Sequence, residues 1–351
     1  MDFLPDILQT LWLGKPAWAW LGFLLAVGLL MALDLGVLHR AGRAPAIRES
    51  MMMCGFYTTL GIGFAGVIYW LYGPSMPATL QDMLLDTNAE GRGWHAAQLY
   101  LTGYFVELSL SMDNVFVISL IFRYFAVPQQ HQHRVLFWGI IGVILFRAVL
   151  IGLGAALVSQ FHWVLYVFGA FLIYAGAKML LAKVGHEPDI AQNPILKFMR
   201  RHFPITHDLH GEKFFIRQRD PKHNKVITYM TPLFLALVMV EFADVIFAVD
   251  SVPAIFAITP DPFLVYTSNI FAIIGLRALY FTLAVMVHRF EYLKNALALI
   301  LILIGMKILV TEILHIDLPD WVSLAATLLL LIGGVVYSLE KTRRAARNAA
   351  R

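Results

Sequence analysis

Six carboxylates stand inside long apolar stretches of this 351-residue chain: Asp34; Glu107 and Asp113; Glu241, Asp244 and Asp250. On insertion scales one such charge at the centre of a bilayer costs roughly 2.5 kcal/mol or more, so each needs a partner or a purpose. Ser109, Ser111, Asn114 and Ser251 are interspersed with them. Carboxylates flanked by small polar groups are what a dehydrated cation would neutralise, and hard oxygen donors suit Mg, Ca or Mn rather than copper or zinc thiolate chemistry. Met112, beside Asp113, and Met239, near Glu241, are candidate soft ligands that would bias the site towards manganese. Packing is the plainer role for a methionine in an apolar run.

Arg147, Arg277, Lys178 and Lys307 are the bases of the same stretches, the lysines closer to the ends. Structural ion pairs, in which each arginine holds a carboxylate of its own half, account for part of the charge. The deep bases are too few to absorb six acids, and the surplus negative charge reads as a cation pathway. Glu241 and Asp244 are three residues apart and share a helix face. Asp113 follows Glu107 by six, as Asp250 follows Asp244, which turns the later residue about 120° away on a regular helix. Pro253 removes the backbone bond to the Val249 carbonyl and crowds it, so a break is expected just where Asp250 sits, freeing carbonyls as further ligands. The third span has only Gly103 to suggest the same.

The elements that must position these residues are membrane spans. Hydrophobic residues make up 59% of the chain and charged ones 14%, against about 25% charged in an average soluble protein. The mean hydropathy is +0.71, which excludes a soluble enzyme of one or two domains. About 20 apolar residues cross the bilayer core, and the runs that qualify are 17–38, 51–72, 98–122, 135–158, 163–182, 231–258, 263–287, 296–314 and 321–339. Lys and Arg alternate with them. Arg40, Arg43, Arg48, Arg123, Arg134, nine more between Lys183 and Lys225, Arg289, Lys294 and five in the tail from Lys341 fall on one side, and only Lys15 and Arg92 on the other. The positive-inside rule then puts the N-terminus outside and the C-terminus in the cytoplasm. The net charge of +4 thus reflects membrane orientation rather than nucleic-acid binding.

The expectation is therefore an all-α polytopic membrane protein of about nine transmembrane helices. Residues 1–97 hold the N-terminal segment and two spans, and 98–182 a first unit of three. The segment 183–230 is a cytoplasmic loop, 231–314 a second unit of three, and 315–351 the last span with a basic tail. The two units match in order. Glu107-x5-Asp113-Asn114-Val115 aligns with Asp244-x5-Asp250-Ser251-Val252, and Phe146-Arg147-Ala148 with Leu276-Arg277-Ala278. Phe161-His162-Trp163 aligns with Phe290-Glu291-Tyr292, and Gly176-Ala177-Lys178 with Gly305-Met306-Lys307. Three spans is an odd number, so the second copy enters from the opposite side, as in inverted-repeat transporters.

The start, Met1 to Pro16, lacks a basic n-region and is expected to be a short surface helix that is not removed. Cys54, the single cysteine, reads as a packed small hydrophobe. In the loop, 213–217 and 225–229 flank an Asp220-Pro221 turn and read as a hairpin. His186, His202, His207, His210 and His223, with Glu187, Asp189, Asp208 and Glu212, mark a solvated loop or, through His207, Asp208 and His210, a metal sensor.

Phe105-Val106-Glu107-Leu108-Ser109-Leu110-Ser111-Met112-Asp113-Asn114-Val115-Phe116-Val117, and Thr231-Pro232-Leu233-Phe234-Leu235 leading to Val240-Glu241-Phe242-Ala243-Asp244-Val245-Ile246-Phe247-Ala248-Val249-Asp250-Ser251-Val252-Pro253, resemble the acidic motifs of the TerC family of integral membrane proteins. Within that family the chain looks like the Alx type, whose expression is linked to alkaline pH. The resemblance covers about Asp34 to residue 340 and implies a bacterial inner-membrane protein associated with manganese efflux. It carries the family's acidic positions onto Glu107, Asp113, Asn114, Glu241, Asp244, Asp250 and Ser251, with Asp34 in the first span. Tellurite, an anion, fits an acid-lined path poorly.

The expected function is a Mn2+ exporter working by alternating access, Asp113 and Asp250 binding the ion and Glu107, Glu241 and Asp244 completing or relaying the site. Proton antiport is a natural coupling, and direction comes from the resemblance alone. A Ca2+ or H+/Na+ transporter, and a stress or tellurium-resistance scaffold acting through the 183–230 loop, are the alternatives. The lipid bilayer and a divalent ion are the expected partners, with no organic cofactor. No Gly-rich phosphate loop, HExxH helix or nucleophile motif points to an enzyme.

Overall fold

The computed structural model describes residues 6–36, 47–73, 89–161, 163–181, 190–206, 208–219, 226–283, 293–314 and 319–349. Its helices are α1 (Asp6–Gln9), α2 (Ala17–Gly36), α3 (Ile47–Tyr72), α4 (Ala89–Tyr124), α5 (Gln129–Gln160), α6 (Trp163–Leu181), α7 (Pro194–His202), α8 (Pro232–Phe256), α9 (Pro262–Leu283), α10 (Leu293–Leu314) and α11 (Asp320–Ala349). Among the described residues seven helices are long and apolar enough to cross a membrane, within α3, α4, α5, α6, α8, α10 and α11. The spans expected at 17–38 and 263–287 correspond to shorter apolar stretches, Ala17–Leu33 and Pro262–Gly275.

The long helices are apolar all round because lipid meets one face and protein the other, so periodicity shows only in burial. In α5, Val143, Arg147, Ile151, Ala155 and Val158 are buried, whereas Leu145, Val149 and Leu153 are exposed on the opposite face. Arg147 therefore belongs to the protein-facing stripe. Helix α4 overruns the expected apolar run by about two turns at its start, since a helical backbone satisfies its own hydrogen bonds whatever its side chains.

Helix α4 packs on α9, and α5 packs on α8. Helices α6 and α10 pack on each other through glycines. A Cβ at Gly176 would lie 2.6 Å from the Ala298 carbonyl oxygen and 2.7 Å from Ile302 Cγ1. One at Gly305 would lie 2.7 Å from the Gly169 carbonyl oxygen and 2.9 Å from Ile173 Cγ1. The two sets of contacts interconvert when each residue is replaced by its counterpart in the other aligned unit.

Ahead of the first apolar helix the described residues hold the short helix expected there, Asp6–Gln9. The chain continues as a small hairpin of β1 (Leu11–Trp12) and β2 (Lys15–Pro16), because Leu13 and Gly14 both take positive φ and turn the chain back. The second expected hairpin is present, with β3 (Phe215–Arg219) antiparallel to β4 (Val226–Met230) and Phe215 opposite Met230. Its Asp220-Pro221 turn lies outside the described residues.

Thr231 ties this hairpin to α8. Its Oγ1 accepts from the Phe234 backbone N–H at 3.4 Å as the N-cap and donates to the Lys213 carbonyl at 2.8 Å, with Pro232 in the first turn. The Phe215 ring lies 4.5 Å from that of Phe234. Leu196 and Met199 of α7 are buried in the same apolar cluster. The segment is thus packed against the helices in part, not wholly a solvated loop.

Candidate functional site

Glu107, Ser111 and Asn114 follow one another at spacings of four and three and so share one face of α4. Asp244 and Ser251, two turns apart, share a face of α8. Arg147 of α5 lies between them. It is fully buried, as is Glu107, and Asp244 is 7% exposed.

The guanidinium holds both carboxylates. Its Nη1 is 2.6 Å from Glu107 Oε1, its Nη2 is 3.3 Å from Asp244 Oδ1 and its Nε is 3.5 Å from Asp244 Oδ2. Nη1 also donates to Ser251 Oγ at 3.3 Å and to Asn269 Oδ1, and Asn269 Nδ2 donates to Glu107 Oε2 at 3.4 Å. Four helices, α4, α5, α8 and α9, thus converge on one planar cation whose donor fork suits carboxylates. One positive and two negative charges leave the cluster with a surplus of one negative charge. Burying such a group is tolerable only because nearly every polar atom in it is paired.

Beside this cluster three polar atoms have no hydrogen-bond partner among the described residues: Ser111 Oγ, Asn114 Oδ1 and Glu241 Oε2. Orphans of this kind are uncommon in buried positions. Asn114 and Asp244 line a cavity of about 30 Å3, together with Gly139, Ile140, Val143 and Val240. That is room for about one water molecule or an ion. Glu241 reaches α5 at Gly142, where any Cβ would collide with its carboxylate. Gly139 admits Val240 Cγ1 at 3.6 Å from the position a Cβ would take. These two glycines set how closely α5 approaches the acidic face of α8.

The sequence-predicted residues divide accordingly. Glu107, Asp244, Ser251 and Arg147 come together, with Asn114 and Glu241 beside them. Arg147 does bind a carboxylate of its own unit, as expected, but it holds Asp244 of the other unit as well, because α5 packs against α8. Asp250, rotated away on α8, lies half-buried within electrostatic reach of the exposed Lys178 side chain on α6. Helix α8 is not broken at Asp250 as expected. It runs on to Phe256 with Pro253 inside it, because the loss of one bond to the Val249 carbonyl is outweighed by the packing of residues 251–256, all of them buried. Helix α4 is likewise unbroken through position 113. Met239 is buried in the apolar cluster with Leu235, Ile118 and Leu136, and Met112 packs against it. Lys307 is half-buried on α10. The side chains of Asp34, Asp113 and Arg277 lie outside the described residues, as do His186, Glu187, Asp189, His207 and His223. His210 Nδ1 is 2.9 Å from the Asp208 carbonyl oxygen. Among the described residues no three His, Cys, Asp or Glu side chains are grouped to hold a metal.

Asn269 was not legible as a site residue. Its signal, an amide in the middle of the apolar run 263–287, is weaker than that of a charge.

Residues 92–346 match the model of the integral membrane protein TerC family. The chain is 43% identical over 322 residues to an uncharacterized membrane protein of Rickettsia felis, covering 92% of this chain and 97% of that one. It is 38% identical over 337 residues to a membrane protein of Myxococcus xanthus, covering 96% of each. It is 42% identical over 316 residues to Alx of Escherichia coli (strain K12), described as a candidate membrane-bound redox modulator, covering 89% of this chain and 91% of that protein. No solved structure matches the chain.

Proposed function

This chain belongs to the TerC family of integral membrane proteins, with Alx proteins among its relatives, and on that premise we propose that it is a divalent-cation transporter, with Mn2+ as cargo, exported by alternating access. The observation that carries this reading is the sharing of Arg147 between Glu107 of one unit and Asp244 of the other. Charge balance at this point depends on how the units sit against each other, which is what an alternating-access carrier needs. The interchangeable Gly176 and Gly305 contacts support two inverted units that rock about the α6–α10 contact.

The cargo path runs along the cavity below Asn114 and Asp244. Its lining residues Leu136, Ile140 and Val240 lie in the halves of α5 and α8 nearest the 190–230 segment. With that segment in the cytoplasm, the path faces the side from which an exporter loads. Glu241 is then the first carboxylate met and Asp244 the second. Asp113 and Asp250, at equivalent positions, serve the ion further along. Hard oxygens fit Mn2+, Mg2+ or Ca2+, and the choice of Mn2+ rests on the family resemblance. The protein resides in a bacterial inner membrane with its C-terminus in the cytoplasm and carries out transport rather than enzymatic chemistry. The redox description of the relative does not extend to a thiol pair here, because the chain has one cysteine, Cys54.

The test is cellular manganese content in a manganese-loaded, efflux-deficient host. Wild type is expected to lower it, and Asp244→Asn, Asp113→Asn and Asp250→Asn at matched expression are expected not to. Equal manganese in all four would remove the export reading. A phenotype that survives the three substitutions but not deletion of 208–219 would favour a scaffold acting through the loop.

A further inference from the structure

We propose that Arg147 is a tethered substitute for the cargo: it holds Glu107 and Asp244 when the cation is gone and lets the empty carrier return across the membrane. The inference rests on the transport reading above and concerns its return step.

The argument is one of charge. Glu107 and Asp244 together carry two negative charges, both buried. A divalent cation neutralises them alone. With Arg147 in place as well, the buried cluster would carry an excess positive charge, so ion and guanidinium are alternative occupants of the pair. When the ion leaves, two carboxylates facing hydrocarbon would stall any rearrangement, since each unpaired charge near the bilayer centre is costly. Arg147 removes most of that penalty. It contacts both carboxylates at once and is steadied by Ser251 Oγ and Asn269 Oδ1, so it reaches the pair without leaving its own helix. A structural ion pair would need one carboxylate. The second carboxylate, from the other unit, makes the contact depend on carrier conformation. On this view the return step needs no proton on Glu107 or Asp244.

The experiment uses the full-length protein in proteoliposomes loaded with radioactive Mn2+. Net efflux into metal-free buffer requires the empty carrier to return, whereas exchange against external unlabelled Mn2+ does not. Arg147→Gln is expected to lower net efflux about a hundredfold, the order carried by breaking a buried ion pair, and to raise the ratio of exchange to net efflux about tenfold or more. Arg147→Lys keeps the charge but cannot span two carboxylates with a planar fork. It is expected to restore part of the net efflux, with a ratio raised about threefold. If Arg147→Gln does not fold, judged by size-exclusion profile, the Arg147→Lys ratio decides alone. An unchanged ratio, whether the two fluxes fall together or stay at the wild-type level, overturns the proposal and leaves the transport reading standing. Wild type that moves Mn2+ in neither mode overturns both.

Discussion

The α6–α10 contact and the Arg147 cluster both join the two aligned units, by opposite means. At α6–α10 the backbones touch through Gly169, Gly176 and Gly305, with no charge involved. Around Arg147 the units meet through charged and amide side chains with every strong donor engaged. A backbone contact of that closeness has one arrangement, because any added atom collides. A charge contact can be remade with a different cation at similar cost. The first kind suits a fixed pivot and the second a site that changes occupant.

Several substitutions separate these roles. The largest effect is expected at the charged centre: Arg147→Leu strands Glu107 and Asp244 and should cost about 3–5 kcal/mol of stability. Adding Glu107→Gln and Asp244→Asn should recover most of it, read as thermal unfolding in detergent. If the triple variant is no more stable than the single, the cluster is not held by charge. At the α6–α10 contact, Gly176→Ala and Gly305→Ala should each cost about 1–3 kcal/mol through overpacking, and by similar amounts, because their surroundings interchange. Gly22→Ala, inside α2 with open space around it, should instead stabilise by up to about 1 kcal/mol through helix propensity. Unequal losses at 176 and 305 would break the equivalence of the two units.

Gly142→Ala should leave the fold intact, because the obstructing atoms belong to the end of the Glu241 side chain, but should shift that carboxylate and slow manganese export about tenfold. Retained export with a displaced Glu241 would take that residue off the cargo path. The smallest effect belongs to the rim. Arg134 Nη1 lies 3.2 Å from Glu212 Oε2 with both side chains well exposed, so Arg134→Ala should cost about 0.5 kcal/mol and leave transport unchanged.

A second contrast shows why cavity size does not mark the site. The wedge lined by Trp18, Phe23, Phe64 and Trp70 measures about 660 Å3 and is almost wholly apolar, whereas the cavity at Asp244 holds about 30 Å3. Only the small one is bordered by a polar atom without a partner, Asn114 Oδ1.

Much of this was readable from residue types alone. Continuous apolar runs mark helices in a bilayer because no other open backbone satisfies itself there. A carboxylate in such a run is conspicuous for the same reason. Asp220-Pro221 between two β-rich segments predicted the hairpin, displaced by a residue or two from its actual strands. Asn269 escaped because an amide is cheap enough in an apolar run to attract no notice, yet in place it bridges Arg147 and Glu107. The expected break at Pro253 failed because a proline forfeits one backbone bond and crowds the turn before it, a local cost that the packing of the buried residues 251–256 outweighs.

What the chain alone determined is therefore the list of participants: a set of long apolar helices of a membrane protein, and the carboxylates and arginine that lie within them. The tertiary structure decided who meets whom. Arg147 reaches Asp244 because α5 packs on α8, and Asp250 stays out of that cluster because it lies about 120° around the helix from Asp244. Composition sets the cost of burying a charge, but only the packing of distant helices determines which partner offsets it.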